Sequence, residues 1–387
     1  MPTASIDLAD LRHTEFAALD DHGIYLNSAS VGPLPARSVA ALAECNRDRA
    51  RPAMWPLERI NTVLTEARLL ASRLINADAA EIALMPNTTT GLNIAAHALP
   101  LKSGDIVLTF DREFPANIYP WLRLADRGVA LERIPVTVDG WPDEARLHER
   151  LADPRVRAVA VSLTQFSNGY TVDLHTLSRA TRDAEKWLVV DAIQAVGQLP
   201  VDVKQTPVDF LACGAQKWLL SPWGTGFLYV RKELCTQLEP TFVGWAAYAG
   251  SDDYTNLTSY DPRLWPDARR FELLTFPVQD VAAMNASLGL ILDVGIDAIA
   301  QHTRALHQPI IDWADRSGAT ITSPSGPRGS AILCIKPRGD VAAGYTRLQA
   351  AGVHCSHREG SIRFSPHLFN TVAELHQVAR SLDADPG

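Results

Sequence analysis

Between Leu188 and Arg231 the chain reads LVVDAIQAVGQLPVDVKQTPVDFLACGAQKWLLSPWGTGFLYVR, and three of its side chains are suited to chemistry. Asp191 closes an apolar run, Gln194 follows three residues later, and Lys217 stands just beyond the next apolar run. A lysine partly withdrawn from water can form a Schiff base with a carbonyl compound. A carboxylate in the same crevice can hold a ring nitrogen protonated, which turns the ring into an electron sink. Taken singly, Asp191 also reads as a cap at a strand end and Lys217 as a solvated surface cation.

A second segment, PNTTTGLNIAAHAL from Pro86, places Thr88 and Thr89 where a helix opens. Free backbone N–H groups and the helix dipole favour an anion there, with a plain N-cap as the alternative. In FDREFPANIYPW, Phe114 follows a strand, a position where an aromatic ring usually joins the core.

These residues need a scaffold, and hydrophobic periodicity supplies one. Short apolar runs at 106–110, 130–135, 156–163, 187–191, 208–213 and 226–230 read as strands, while 57–75, 89–98 and 174–185 have helical spacing. Strands alternating with helices predict a largely parallel sheet buried on both faces, with ligands at the strand carboxyl ends. Residues 80–260 therefore read as one α/β unit. Beyond Pro277 the texture changes to helices at 278–294 and 298–317, strands at 330–336 and 361–365, and a terminal helix at 371–382. The Pro- and Asp-rich stretch 251–267 reads as a site-flanking or interface loop.

Composition excludes several classes of function. The chain has 387 residues, 47% hydrophobic and 21% charged, which suits roughly two globular domains and excludes bulk disorder. With 36 Lys plus Arg against 44 Asp plus Glu, the net charge of -8 and scattered basic residues argue against a general nucleic-acid binder. An acidic opening segment, with no apolar stretch near the roughly 20 residues a bilayer requires, predicts a cytoplasmic protein without membrane partners. Five widely spaced cysteines without a Cys-x-x-Cys pair speak against a disulfide framework and a metal site.

Asp191, Gln194 and Lys217 at their observed spacing resemble the pyridoxal-phosphate signature of the class V aminotransferase family of fold type I. That family includes cysteine desulfurases, selenocysteine lyases, kynureninases and isopenicillin N epimerases. The resemblance runs from about residue 25 to 371. It implies an α/β fold with a mostly parallel central sheet in a large domain (26–277), a smaller α+β C-terminal domain (278–387), and an N-terminal segment (1–25) packing on the small domain. It further implies pyridoxal 5'-phosphate as cofactor, with Lys217 as the Schiff-base and proton-shuttling lysine. Asp191 would pair with the pyridine nitrogen, Gln194 approach the ring hydroxyl, Thr88 and Thr89 hold the phosphate, and Phe114 stack on the ring.

REGSIRFSPHLFNT resembles the family's ending, where an arginine grips the substrate carboxylate. Arg363 matches that arginine, and its guanidinium fork suits a carboxylate; Arg358 and His367 are secondary candidates. LNSAS resembles a substrate-side loop through Asn27 and Ser28, and DARRFELLTFP a segment whose Thr275 reaches the phosphate of a neighbouring subunit. Both segments also read as turns, and the second implies a homodimer with shared active sites. Two departures matter. Gln216 replaces the histidine of many desulfurases, so it can donate a hydrogen bond but not act as an acid. Cys355, three residues before Arg358, reads as a structural residue on a strand, in a segment shorter than the desulfurase loop that carries a sulfur-accepting cysteine. The expected activity is therefore a β-eliminating, C–S type lyase acting on an amino acid without such a cysteine, with epimerase or aminotransferase as alternatives. A non-catalytic scaffold is disfavoured by the joint presence of Asp191, Gln194, Lys217 and Arg363.

Overall fold

The computed structural model describes residues 8–51, 56–273 and 275–383. The first elements are helix α1 (Leu8–Glu15), strand β1 (Ile24–Tyr25) and helices α2 (Ala36–Arg49) and α3 (Leu57–Leu74). Next come β2 (Ile82–Leu84), α4 (Thr88–Ala98), β3 (Ile106–Phe110), β4 (Ala130–Ile134), β5 (Val156–Ser162), β6 (Trp187–Asp191), β7 (Phe210–Gly214) and β8 (Gly226–Val230).

Strands β2 to β8 form one sheet in the order β2-β8-β7-β6-β5-β3-β4. The pairs from β4 across to β7 are parallel, whereas β8 runs antiparallel to both β7 and β2. The mostly parallel sheet is thus the one expected, with β8 reversed. A parallel return needs a crossover, usually a helix. Residues 215–225 between β7 and β8 contain none, and Lys217 lies in that connection. Alternation along the strands feeds two apolar layers: Leu188 and Val190 enter one, Val189 the other.

A second sheet combines β9 (Thr320–Ile321), β10 (Leu333–Lys336), β12 (Ser356–Arg358) and β13 (Ser361–Phe364), all antiparallel. The short β11 (Val353–His354) pairs in parallel with β1, which brings the N-terminal segment beside this unit. The helix Val278–Val294 buries Val281, Met284, Leu288 and Ile291 against the large sheet's core. Residues 298–317, expected as one helix, form two, Ile296–Ala305 and Gln308–Ser317. Pro309 explains the break: it lacks an N–H and is tolerated only in a helix's first turn, where it stands. The terminal helix Val372–Asp383 closes the small core through Leu375, Val378 and Leu382. Among the described residues no single helix is long and apolar enough to cross a membrane.

Candidate active site

A cavity of about 330 Å³ lies at the carboxyl ends of the large sheet's strands, between them and the β12–β13 hairpin. Thr88, Thr89, Phe114, Asp191, Gln194, Gln216, Lys217, Arg358 and Arg363 all line it. Four other candidates do not: Asn27, Ser28, His367 and Thr275.

Lys217 is held by a tightly closed loop. Ala215 N–H bonds the Thr225 carbonyl at 2.9 Å, Ser221 N–H the Ala215 carbonyl at 3.1 Å, and Leu220 N–H the Lys217 carbonyl at 3.1 Å. The connection between β1 and α2 lies directly on this loop, with Gly32 N–H donating to the Gln216 carbonyl at 2.8 Å. A Cβ at Gly32 would stand 2.1 Å from the Lys217 carbonyl oxygen, so only glycine fits there. The lysine amine lies 5.5 Å from the centre of the Phe114 ring. Burial pushes its pKa down to about 8, with Asp191 opposing the shift and Arg363 reinforcing it.

Asp191 ends β6, is 2% exposed, and accepts one bond from Ile193 N–H at 3.1 Å on Oδ1. Burial pushes its pKa up to about 7, against the bond from Ile193, and the Glu113 charge adds to the rise. Gln194 has an amide largely spoken for. Its Nε2 donates to the Ala29 carbonyl at 2.9 Å, and its Oε1 accepts from Trp218 Nε1 at 2.7 Å. The side chain thus ties the β1–α2 connection to the residue after the lysine.

His367 works on the same residue from outside the cavity. Leu368 N–H donates to its Nδ1 at 2.7 Å, so its Nε2 carries the hydrogen and donates to the Trp218 carbonyl at 3.0 Å. Burial pushes it down to about 4, which keeps it neutral at physiological pH.

On the opposite wall, α4 points its N-terminus into the cavity. The Asn87 side chain accepts from Thr90 N–H at 2.9 Å, and Thr88 Oγ1 accepts from Gly214 N–H at 2.9 Å, fixing the helix start against β7. The N–H groups of Thr88 and Thr89 have no acceptor within the helix, and the Thr89 side chain is exposed, which makes this end suitable for a phosphate-sized anion.

Arg363 is the least expected electrostatic feature. It is 2% exposed, with Nη1 donating to the Phe166 carbonyl at 2.7 Å and Nη2 to Ser30 Oγ at 2.8 Å. Its Nε has no hydrogen-bond partner, and no carboxylate pairs with it among the described residues. Burial pushes it down to about 10. A buried guanidinium without an anion is costly, and a ligand carboxylate would relieve it.

Several contributors were not singled out in the sequence. Ser30, two residues beyond Ser28, lines the cavity, while Ser28 N–H is consumed by the Ser365 carbonyl at 3.1 Å and Asn27 Oδ1 accepts from Ser356 Oγ at 2.6 Å. Phe166 follows the carboxyl end of β5, where the strand-end rule could have found it; Trp223 carries no sequence signal. Glu113 is buried and accepts from Ser162 N–H at 2.8 Å and Gln165 Nε2 at 2.9 Å, clamping the Phe114 loop to β5. Thr275 is exposed and lines a separate cavity of about 310 Å³ with Trp245, Tyr254 and Trp265.

Residues 24–378 match the family model for aminotransferase class-V. The chain belongs to the class-V aminotransferase family. Its similarity to curated members is spread over the whole length. It is 29% identical to a probable cysteine desulfurase of Methanothermobacter thermautotrophicus, covering 95% of this chain and 96% of that one. It is 28% identical to isopenicillin N epimerase of Streptomyces clavuligerus, again over 95% and 96%. In fold it superposes with a TM-score of 0.86 on the apo cysteine desulfurase of Thermococcus onnurineus NA1, at 23% identity and covering 97% of this chain and 98% of that one. The class-V architecture is the fold type I arrangement expected from the sequence.

Proposed function

We propose that this class-V chain is a pyridoxal-phosphate enzyme that removes the Cα proton of an amino acid and expels a sulfur-containing β-substituent as a small molecule. The observation that carries this reading is Arg363, a buried guanidinium with an orphan Nε and no carboxylate among the described residues, lining one cavity with the Lys217 amine. An amino-acid substrate presents a carboxylate and a Cα–H bond a short distance apart.

The residues present fit the cofactor. The α4 N-terminus with Thr88 and Thr89 suits its phosphate, Phe114 offers a ring face, Asp191 a carboxylate for the pyridine nitrogen, and Lys217 the amine. Gln216 lines the cavity as a neutral donor, and Gln194 keeps one N–H free after its bond to Ala29. When bound, pyridoxal phosphate supplies an electron sink for negative charge at the substrate Cα.

Within the chain, Lys217 would hold the cofactor until the substrate amine takes its place, and the amine so released, largely withdrawn from water, would then take the Cα proton. Arg363 fixes the carboxylate and so the direction of the breaking bond. Asp191 balances charge at the ring nitrogen. In the elimination the Cβ–S electron pair departs with sulfur, which gains a proton, and hydrolysis of the remaining three-carbon fragment gives pyruvate and ammonia.

Release of the β-group as a small molecule is supported by the cysteines. All five are free and buried. Cys355 lies in the one-residue link between β11 and β12 instead of on a strand as the sequence suggests, and burial pushes it up to about 12, so its thiol is a poor sulfur acceptor. Epimerisation is the second reading, suggested by the similarity to isopenicillin N epimerase. Exchange on both faces of Cα calls for a second proton donor. Among the described residues the cavity's ionisable side chains are Asp191, Lys217, Arg358 and Arg363, which include a single amine.

We also propose a homodimer, because the exposed Thr275 lies outside the Lys217 cavity and its hydroxyl, which accepts from Trp245 Nε1 at 3.4 Å, keeps its own hydrogen to donate to a second copy. Product analysis of the cofactor-loaded protein tests the chemistry. Pyruvate and ammonia from β-substituted cysteines support the lyase; a D-enriched substrate pool supports the epimerase; a keto acid retaining its side chain supports the aminotransferase.

A further inference from the structure

The β12–β13 hairpin presents not one arginine to the cavity but two. Its register sets Ser356 opposite Arg363 and Arg358 opposite Ser361. Opposed residues of an antiparallel pair share a face and successive residues alternate, so Ser356, Arg358, Ser361 and Arg363 lie on one side. The contacts agree with this division. Ile362 enters the small unit's core and the His357 ring lies 5.9 Å from that of Tyr345, both on the far side, whereas Arg358 and Arg363 line the cavity. Arg358 and Arg363 are therefore diagonal neighbours, with Cα atoms roughly 7–8 Å apart.

Like charges at that spacing oppose each other, and neither arginine has a carboxylate partner among the described residues. The cavity's ionisable lining is three cations, Lys217, Arg358 and Arg363, against one acid, Asp191. Under the function proposed above, Asp191 serves the cofactor ring and Arg363 the substrate's α-carboxylate. With the cofactor phosphate held at α4 on the opposite wall, Arg358 is the cation on the hairpin side left without a counterpart. It also stands at the open side: Arg358 is exposed, as is the lining residue Trp223 at 68%. A group that reaches Arg358 must extend past Cβ toward the mouth.

We propose that Arg358 determines specificity, and that the preferred substrate is an amino acid whose β-substituent ends in a second anionic group, a carboxylate. The inference rests on the pyridoxal-phosphate reading of the site but not on the fate of the β-substituent.

Two compounds of matched size test it: S-carboxymethyl-L-cysteine, with a terminal carboxylate, and S-carbamoylmethyl-L-cysteine, with the neutral amide. The cofactor-loaded protein is assayed with each for pyruvate release and, by calorimetry, for Kd. The wild type is expected to favour the carboxylate at least tenfold, and the preference should shrink in 0.5 M salt. Arg358→Gln should reduce that preference to within about twofold, its loss falling on the acidic compound, and Arg358→Lys should recover part of it. A preference below twofold in the wild type, binding of neither compound, or an equal loss for both compounds in Arg358→Gln would overturn the proposal. Binding that keeps the preference without pyruvate release would instead remove the lyase chemistry and leave the assignment of Arg358 standing.

Discussion

Replacing Arg363 by Met separates a substrate-binding arginine from a structural one. Burial pushes the guanidinium from 12.5 down to about 10. At about 1.4 kcal/mol per pH unit, the charged form costs the fold on the order of 3 kcal/mol. The sign is that of a depressed base: the penalty is present at every pH below about 10 and is relieved only as pH rises through 10 toward 12.5. Against it stand the bonds to the Phe166 carbonyl and Ser30 Oγ, which a charged donor makes worth roughly 1.5 kcal/mol or somewhat more each. The two contributions nearly cancel, so Arg363→Met should leave Tm within roughly 3 °C of wild type or raise it. Substrate recognition should respond quite differently. Two charge-assisted bonds to a carboxylate, at about 1.5–3 kcal/mol each, correspond to a fall in kcat/KM of roughly a hundredfold to ten-thousandfold. Arg363→Lys, with the charge but not the fork, should fall between. Thermal melting of the cofactor-free protein and steady-state kinetics of the loaded protein give the two numbers. A Tm loss above 10 °C with kcat/KM nearly intact would refute the reasoning and make Arg363 a brace between the hairpin and the Phe166 loop.

Three further outcomes are expected. Asp191→Asn should still take up pyridoxal phosphate, but with turnover reduced on the order of a hundredfold or more; unimpaired rates would mean the ring nitrogen has another partner. Cofactor uptake needs the neutral amine of Lys217, which with a pKa of about 8 is present in about one-tenth of molecules at pH 7. The uptake rate should therefore climb with pH until it levels above 8, and a flat profile from pH 6 to 9 would exclude a lysine of that pKa as the acceptor. Cys355→Ser should keep kcat within about twofold, since the thiol is 6% exposed and held protonated; a persulfide trapped on Cys355 during turnover would return the chain to the desulfurase chemistry.

Much of the fold was legible because strands of a buried parallel sheet appear as short apolar runs, and 106–110, 187–191 and 226–230 coincide with β3, β6 and β8. The reversal of β8 was not, since apolar runs carry no direction; it follows from the helix-free connection that Lys217 occupies. For the site, Asp191, Lys217 and Thr88 each read equally as a cap or a surface cation when taken alone; the resemblance to the family signature singled them out, and all three line the cavity. Which residue of a loop faces inward is decided by distant contacts. Bonds to Ser365 and Ser356 hold Ser28 and Asn27 away from the cavity and leave Ser30 facing it. Likewise the amide of Gln194 is shared with Ala29 and Trp218, partners 165 and 24 residues distant, which no local pattern reveals.

Borohydride reduction of the pyridoxal-phosphate-loaded protein, followed by peptide mapping, tests the central assignment most directly. The chain has only six lysines, at positions 102, 186, 204, 217, 232 and 336, and among them Lys217 alone lines the cavity. The expected result is one equivalent of pyridoxyl label, on the peptide containing Lys217, and none in Lys217→Ala. Stoichiometric label on any other lysine, or loaded protein that takes up no label, would contradict it.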